Sequence, residues 1–246
     1  MKNSEKRRML IYDEIKREKS SSIRELAKLF QVSSETIRND LDILEKQGKI
    51  EKKHGFALLT DKYAHIPLRI KRENHIEDKI LIASKAASFV EDHFTIWLDA
   101  GSSAYTLLRF LSQKKDLTIA TNSIEIATAL ATSKHKLIVI GGMLEPIGQS
   151  MVGTFANEQI ASLHFDLAFL GSDGFENSNG PTTFAYEEIQ IKHTALKQAE
   201  RSVLLVDRSK IHDCAPYQYA DFSELDLIIT TIESAYFPDS KKVMRV

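Results

Sequence analysis

Residues 97–108 read WLDAGSSAYTLL. The apolar run TIWL stops at Asp99-Ala100-Gly101-Ser102-Ser103, and apolar residues then resume as AYTLLRFL. Glycine at 101 lets the backbone come close to a ligand. Ser102 and Ser103 stand where a helix should begin, and the free N–H groups and positive dipole end of such a helix suit a phosphate. Asp99, just before them, can accept hydrogen bonds from sugar hydroxyls. Comparable groups follow other apolar runs: Thr121, Asn122 and Ser123 after LTIAT, Gly141 and Gly142 after KLIVI, Gly171, Ser172, Asp173 and Gly174 after DLAFL, and Asp207, Ser209 and Lys210 after SVLLV. Any one of these is an ordinary turn composition. Five of them at the ends of five apolar runs are what a cleft needs. Lys192 follows Glu188 by four residues, so the two can share one helix face. By spacing alone that pair reads as a surface salt bridge.

The elements that must carry these groups alternate. TIWL (95–98), LTIAT (117–121), KLIVIG (136–141), DLAFLG (166–171), SVLLVD (202–207) and, as the last strand, LDLIITT (225–231) are strand-like. Helical patterns precede or separate them: IEDKILIASKAASFV, SAYTLLRFL, IEIATALA, ANEQIASL and EEIQIKHTALKQA. Strands apolar on both faces, separated by helices, predict a mostly parallel sheet covered on both sides. Such sheets bind ligands outside the carboxyl ends of their strands, which is where the polar groups collect.

A second constellation lies in the first sixty residues. Met9, Leu10, Ile11 and Ile15 mark a helix over about 4–18. Ser22 and Glu25 form a capping box for a second helix bearing Ile23, Leu26, Ala27 and Phe30. Ser33 can cap a third, in which Ile37, Leu41 and Leu44 face inward and Glu35, Arg38, Asn39 and Asp42 outward. Gly48 ends it, and KIEKKHGFALL follows as two short strands around His54 and Gly55. This is a winged helix-turn-helix, whose third helix suits the major groove of double-stranded DNA. The candidate DNA contacts are Ser33, Ser34, Glu35, Thr36, Arg38 and Asn39, with Lys52, Lys53 and His54 on the wing near phosphates.

Charge supports the split. Residues 1–60 carry 14 Lys and Arg against 10 Asp and Glu, a net +4; the remainder carries 19 against 24, a net −5. A basic front on an acidic body fits a polyanion partner for the front alone. No apolar run approaches the roughly 20 residues that span a bilayer, and no secretory signal is visible, so a cytoplasmic location is expected. The single cysteine, Cys214, forms no internal disulfide and no Cys-pair metal site. There is no G-x-x-x-x-G-K-[ST] loop, no G-x-S-x-G elbow and no H-E-x-x-H pair. Neither a metal nor a cofactor is expected.

Residues 32–57, VSSETIRNDLDILEKQGKIEKKHGFA, resemble the pattern VSxxTIRRDLxxLExxGxxxxxHGGA of the DeoR family of bacterial transcriptional regulators. Asn39 replaces a usual second Arg, and Phe56 a usual second Gly. LDAGSS (98–103), TNSIEIA (121–127), Gly141-Gly142, GSDG (171–174), EEIQIK (187–192) and DRSK (207–210) resemble that family's sensor domain. The resemblance implies an α/β protein with three parts. These are a winged helix-turn-helix domain at 1–60, a linker at 61–75, and an α/β effector-sensing domain at 76–246 similar in fold to ribose-5-phosphate isomerase. It also implies a phosphorylated sugar as effector. The effector residues carried over are Asp99, Gly101, Ser102, Ser103, Thr121, Asn122, Ser123, Gly141, Gly142, Asp173, Gly174, Glu188, Lys192 and Lys210. One helix-turn-helix per subunit favours a homodimer or higher homo-oligomer reading two half-sites. The alternative is an active sugar-phosphate isomerase using Asp173, Glu187 or Glu188 with Lys192. Against it, NSNGPTTFAYEE stands where those enzymes carry a Lys-Gly-Gly-Gly-like turn, so no catalytic residue is expected.

Overall fold

A computed structural model describes residues 3–18, 20–46, 49–53, 55–59 and 68–246. The chain divides into two compact units, residues 1–70 and 71–246.

In the first unit, α1 (Asn3–Glu18), α2 (Ile23–Phe30) and α3 (Ser34–Lys46) enclose Ile11, Ile15, Leu26, Ile37, Leu41 and Leu44, all buried. The capping box forms as expected: Ser22 accepts from the Glu25 N–H, and Glu25 accepts from the Ser22 N–H. Gln31 ends α2 in the left-handed region at φ 53°, allowing the tight turn before Ser33. The wing has one strand more than the sequence suggested. β2 (Ile50–Lys53) and β3 (Phe56–Leu59) form the hairpin, and β1 (Ser20–Ser22) pairs antiparallel with β3 on its other edge. Three serines carry no strand signature, so tertiary pairing alone makes that strand.

The segment read as a linker contains a short helix, α4 (Leu68–Glu73), whose Lys71 and Arg72 belong to the second unit. Next in the second unit is α5 (Ile76–Ala87). Its sheet comprises β4 (Thr95–Leu98), β5 (Thr118–Thr121), β6 (Lys136–Val139), β9 (Phe165–Gly171), β11 (Ala199–Val206), β13 (Leu227–Thr230) and β14 (Val243–Arg245). All pairings are parallel, in the order β14-β13-β11-β9-β4-β5-β6. LDLIITT is therefore not the last strand: Val243–Arg245 adds one at the edge, too short to show a pattern. The loop bearing Gly141 and Gly142 holds a hairpin, β7 (Met143–Glu145) with β8 (Ser150–Val152), and β10 (Thr182–Thr183) pairs with β12 (Tyr217–Gln218).

Side chains alternate across the sheet. Ile96 and Leu98 face α5, α6 (Ser102–Leu111) and α7 (Ile124–Leu130), where Ile82, Leu107 and Ile126 are buried. Trp97 and Ala168 face the opposite layer, with α8 (Thr154–Ala161) and α9 (Glu188–Lys197) contributing Ile160 and Ile191. This two-sided burial explains why the strands read as continuous apolar runs. Strands β4, β5 and β6 progress outward in one direction, and β9, β11, β13 and β14 in the other. The order thus reverses between β4 and β9, the place where open α/β sheets form a crevice. Among the described residues, no helix is long and apolar enough to cross a membrane, and no group of three or more His, Cys, Asp or Glu could hold a metal ion.

Candidate functional site

At the reversal point, Asp99 directly follows β4 and Gly171 ends β9. Asp99 is buried, and its Oδ2 accepts from the Gly171 N–H at 3.1 Å and from Lys192 Nζ at 2.5 Å. Lys192 reaches it from α9 and also lies 3.7 Å from Glu188 Oε2. Glu188 and Lys192 are not a surface pair: they are 4% exposed each. Spacing puts them on one face, and that face points at the sheet. Glu188 is further held by the hydroxyls of Ser150 at 3.0 Å and Thr183 at 2.7 Å. Tyr219 closes the group, donating to the Gly171 carbonyl at 2.7 Å, with the Lys192 ammonium 5.5 Å from its ring centre.

Burial raises the Asp99 carboxyl against the pull of Lys192. The same burial works against the Lys192 ammonium, but Asp99 and Glu188 outweigh it and hold Lys192 above its ordinary value. Burial likewise lifts the Tyr219 phenol. Lys192 is therefore a cation, and its charge is already spent on two carboxylates.

In front of this group, Gly101 caps α6 in an extended conformation (φ −161°) that any residue adopts, and a Cβ there would meet nothing within 4 Å. What the glycine leaves is open space before the helix. Ser102 and Ser103 occupy the first turn of α6. At the neighbouring strand end, Thr121 Oγ1 donates to the Leu98 carbonyl at 2.7 Å and accepts from the Ser123 N–H. Ser123 Oγ accepts from the Ile126 N–H at 3.3 Å, capping α7. Those two hydroxyls serve the fold. Asn122 differs: its Nδ2 donates to the Met151 carbonyl at 3.0 Å, while its Oδ1 is buried with no hydrogen-bond partner. A buried acceptor without a donor is uncommon in folded proteins.

The remaining candidates fall around this centre. Gly142 sits at φ +155°, where a Cβ would come 2.6 Å from the Val152 carbonyl oxygen; neighbouring Gly141 donates its N–H to Gln159. Asp173 accepts from the Phe184 N–H and from Lys71 Nζ at 2.5 Å. Gly174, at φ +153°, leaves no room for a Cβ beside the Asp213 carbonyl. Lys210, in a 3-10 turn after β11, lies in the field of Asp207, which pairs with buried Lys79 at 3.0 Å. Sequence reading missed Ser150, Thr183, Tyr219, Lys71 and Lys79. Ser150, Thr183, Tyr219 and Lys71 come from short or unpatterned segments, whereas Lys79 lies on the patterned helix α5 and is buried there; the apolar periodicity that located the strands says nothing about any of them.

In the first unit, Ser33 Oγ accepts from the Thr36 N–H at 3.1 Å and lies 2.9 Å from the Thr36 hydroxyl, fixing the start of α3. Arg38 and Asn39 are exposed, and Arg38 pairs with Glu35 at 3.1 Å. On the opposite face, buried Asp40 accepts from Arg7 at 2.6 Å and Arg8 at 3.3 Å, anchoring α3 to α1. Lys52 donates its backbone N–H to Glu45, and its ammonium pairs with Asp42 and Glu45. Those partners, the Asp42 hydrogen bond first, raise its pKa and tie the wing to α3. Lys53 lies in β2. His54, Gly48 and residues 61–67 of the expected linker lie outside the described residues.

Comparisons with known proteins cover both units. A family model for the DeoR-like helix-turn-helix domain matches residues 7–62, and one for the DeoR C terminal sensor domain matches residues 74–231. The chain is 31% identical to the uncharacterized HTH-type transcriptional regulator FruR of Bacillus subtilis (strain 168), covering 98% of this chain and 97% of the relative. It is 32% identical to the HTH-type transcriptional repressor GlcR of the same organism (92% and 88% covered), and 27% identical to the glycerol-3-phosphate regulon repressor of Escherichia coli (strain K12) (89% and 88% covered). Among solved structures, ribose 5-phosphate isomerase A from Methanocaldococcus jannaschii aligns with a TM-score of 0.40 at 21% identity, over 55% of this chain and 54% of that one. The chain belongs to the DeoR family, and it is a DNA-binding transcriptional regulator rather than an enzyme.

Proposed function

We propose that the protein is a repressor of sugar-metabolism genes whose grip on its operator is released by a phosphorylated sugar bound at the reversal point of the parallel sheet. The observation that carries this reading is the gathering there of Asp99, Asn122, Glu188 and Lys192, with open space at Gly101 before the N-terminus of α6. The helix end and Ser102 and Ser103 receive the phosphate. The unpartnered Oδ1 of Asn122 accepts from a sugar hydroxyl. Lys192 holds Asp99 and Glu188 in place instead of reaching the phosphate itself. Gly141, Gly142, Asp173, Gly174 and Lys210 shape the rim. Relatives named for repression of a glycerol-3-phosphate regulon and of an aga operon support the sugar-gene setting.

On the DNA side, α3 enters the major groove with Arg38 and Asn39 toward base edges, while Ser34, Thr36 and the wing residues Lys52, Lys53 and His54 meet phosphates. The protein works as a homodimer or higher homo-oligomer that reads paired half-sites. The test uses labelled DNA from upstream of the protein's own gene and a panel of glucose 6-phosphate, fructose 6-phosphate and glycerol 3-phosphate. At least one should release the DNA and raise the melting temperature. Ser102→Trp should keep DNA binding and lose both responses. A protein indifferent to phosphorylated sugars in both assays refutes the reading.

A further inference from the structure

Lys192 stands in the sequence as the cation of the crevice, yet it is buried against Asp99 and Glu188. The first turn of α6 is served by a different cation. The guanidinium of Arg72 lies 3.6 Å from the centre of the Tyr105 ring, and its Nη1 is 3.1 Å from Glu125 Oε2. Tyr105 is three residues past Ser102 on α6, so it shares a face with that serine. Glu125 is two residues past Ser123, in the first turn of α7. Next to Arg72, Lys71 reaches the loop after β9, with Nζ 2.5 Å from Asp173 Oδ1 and 6.0 Å from the centre of the Phe184 ring. Two consecutive cations of α4 thus bind the segments that follow β4, β5 and β9, three of the segments that make the crevice. Arg72 keeps 37% of its side chain exposed, so the pair with Glu125 is not sealed in the core.

We propose that Arg72, assisted by Lys71, is the cationic contact for the ligand's phosphate, held in waiting by Glu125 and Asp173. The proposal rests on the sugar-phosphate reading of the crevice and adds the residue that recognises the charge. A guanidinium suits a phosphate because it is planar, permanently charged, stacks on an aromatic face and offers paired N–H donors to phosphate oxygens. Glu125 competes with the phosphate for the same donors.

Calorimetric titration of the full-length protein with glucose 6-phosphate, fructose 6-phosphate and glycerol 3-phosphate tests the assignment. Arg72→Gln should weaken binding of the best probe at least tenfold, and Arg72→Lys should recover part of the loss. Glu125→Gln should tighten it several-fold, because a competing acceptor is gone. A merely structural ion pair makes the opposite prediction for Glu125→Gln, which would then weaken binding as Arg72→Gln does. Equal affinities across parent and variants, or equal weakening by both neutral variants, overturns the role of Arg72 while leaving the sensor reading intact. A parent protein that binds none of the three probes overturns both.

Discussion

Lys192 Nζ lies 2.5 Å from Asp99 Oδ2 across 93 positions of sequence, with both side chains almost wholly buried. The pair joins the end of β4 to α9 and holds the strand-order reversal together. Removing one partner of a buried pair strands the other charge, at a cost of about 3–5 kcal/mol, whereas removing both costs far less. Lys192→Met should therefore destabilise the second unit by about that amount, and Asp99→Asn combined with Lys192→Met should recover a large part of it. Trp97 is the single tryptophan and is buried in this unit's core, so its fluorescence during urea unfolding reads the difference directly. If the double variant is as unstable as the single one, the pair is not a coupled unit.

Asp207 sets an acid limit. Burial alone would raise its carboxyl, but Lys79 and Lys210 outweigh that and bring it down to about 2 from an ordinary 3.8. A depressed carboxylate contributes stability that is complete above its unfolded pKa and is lost as the pH falls through the folded value. The contribution is about 2 kcal/mol, and the loss should lie between about pH 4 and pH 2. Asp207→Asn should be less stable at neutral pH, because Lys79 is then buried without its carboxylate, and its acid limb should be shallower. Urea midpoints followed by Trp97 fluorescence from pH 2 to 6 check both signs.

The alternation that exposed the sheet to sequence reading has a plain origin. Ile96 and Leu98 face one helical layer and Trp97 the other, so a strand covered twice is apolar throughout. The α2 cap was legible because Ser22 and Glu25 act locally. What stayed hidden is non-local or unpatterned. Ser20–Ser22 becomes a strand only because β3 lies beside it. Glu188 and Lys192 have the right spacing, but spacing identifies a shared face without saying which way it points. Ser150, Thr183 and Tyr219 converge on the centre from segments with no period at all. Lys71 and Arg72 sit where the chain looks like a connector, and only the folded chain brings them to Asp173 and Glu125.

Two glycines of the crevice should behave in opposite ways. Gly101 is extended and faces open space, so Gly101→Ala should fold within about 0.5 kcal/mol of the parent, as unconstrained surface changes do. Its methyl group stands before α6 and should blunt the response to sugar phosphate. Gly174 has φ +153°, and a Cβ there would lie 2.0 Å from the Asp213 carbonyl oxygen. Gly174→Ala must shift backbone as well as adopt a strained conformation, and should lose at least about 1–3 kcal/mol. Melting curves with and without glucose 6-phosphate separate the two effects.

On α3, buried Asp40 and exposed Arg38 divide the work. Asp40 ties the helix to α1 through Arg7 and Arg8, while Arg38 faces outward and pairs with Glu35 at 3.1 Å. That exposed pair is worth little, so Arg38 can exchange Glu35 for DNA at small cost. Arg38→Ala should leave the melting temperature of the first unit nearly unchanged and weaken operator binding by about 1–3 kcal/mol if the side chain reads a base. Asp40→Ala should act through stability instead, since two arginines lose the carboxylate that gathers them. The discriminating measurement compares operator and random duplexes across a salt series. Loss confined to the operator makes Arg38 a base contact. An equal loss on both duplexes, with a salt slope reduced by about one, makes it a phosphate contact.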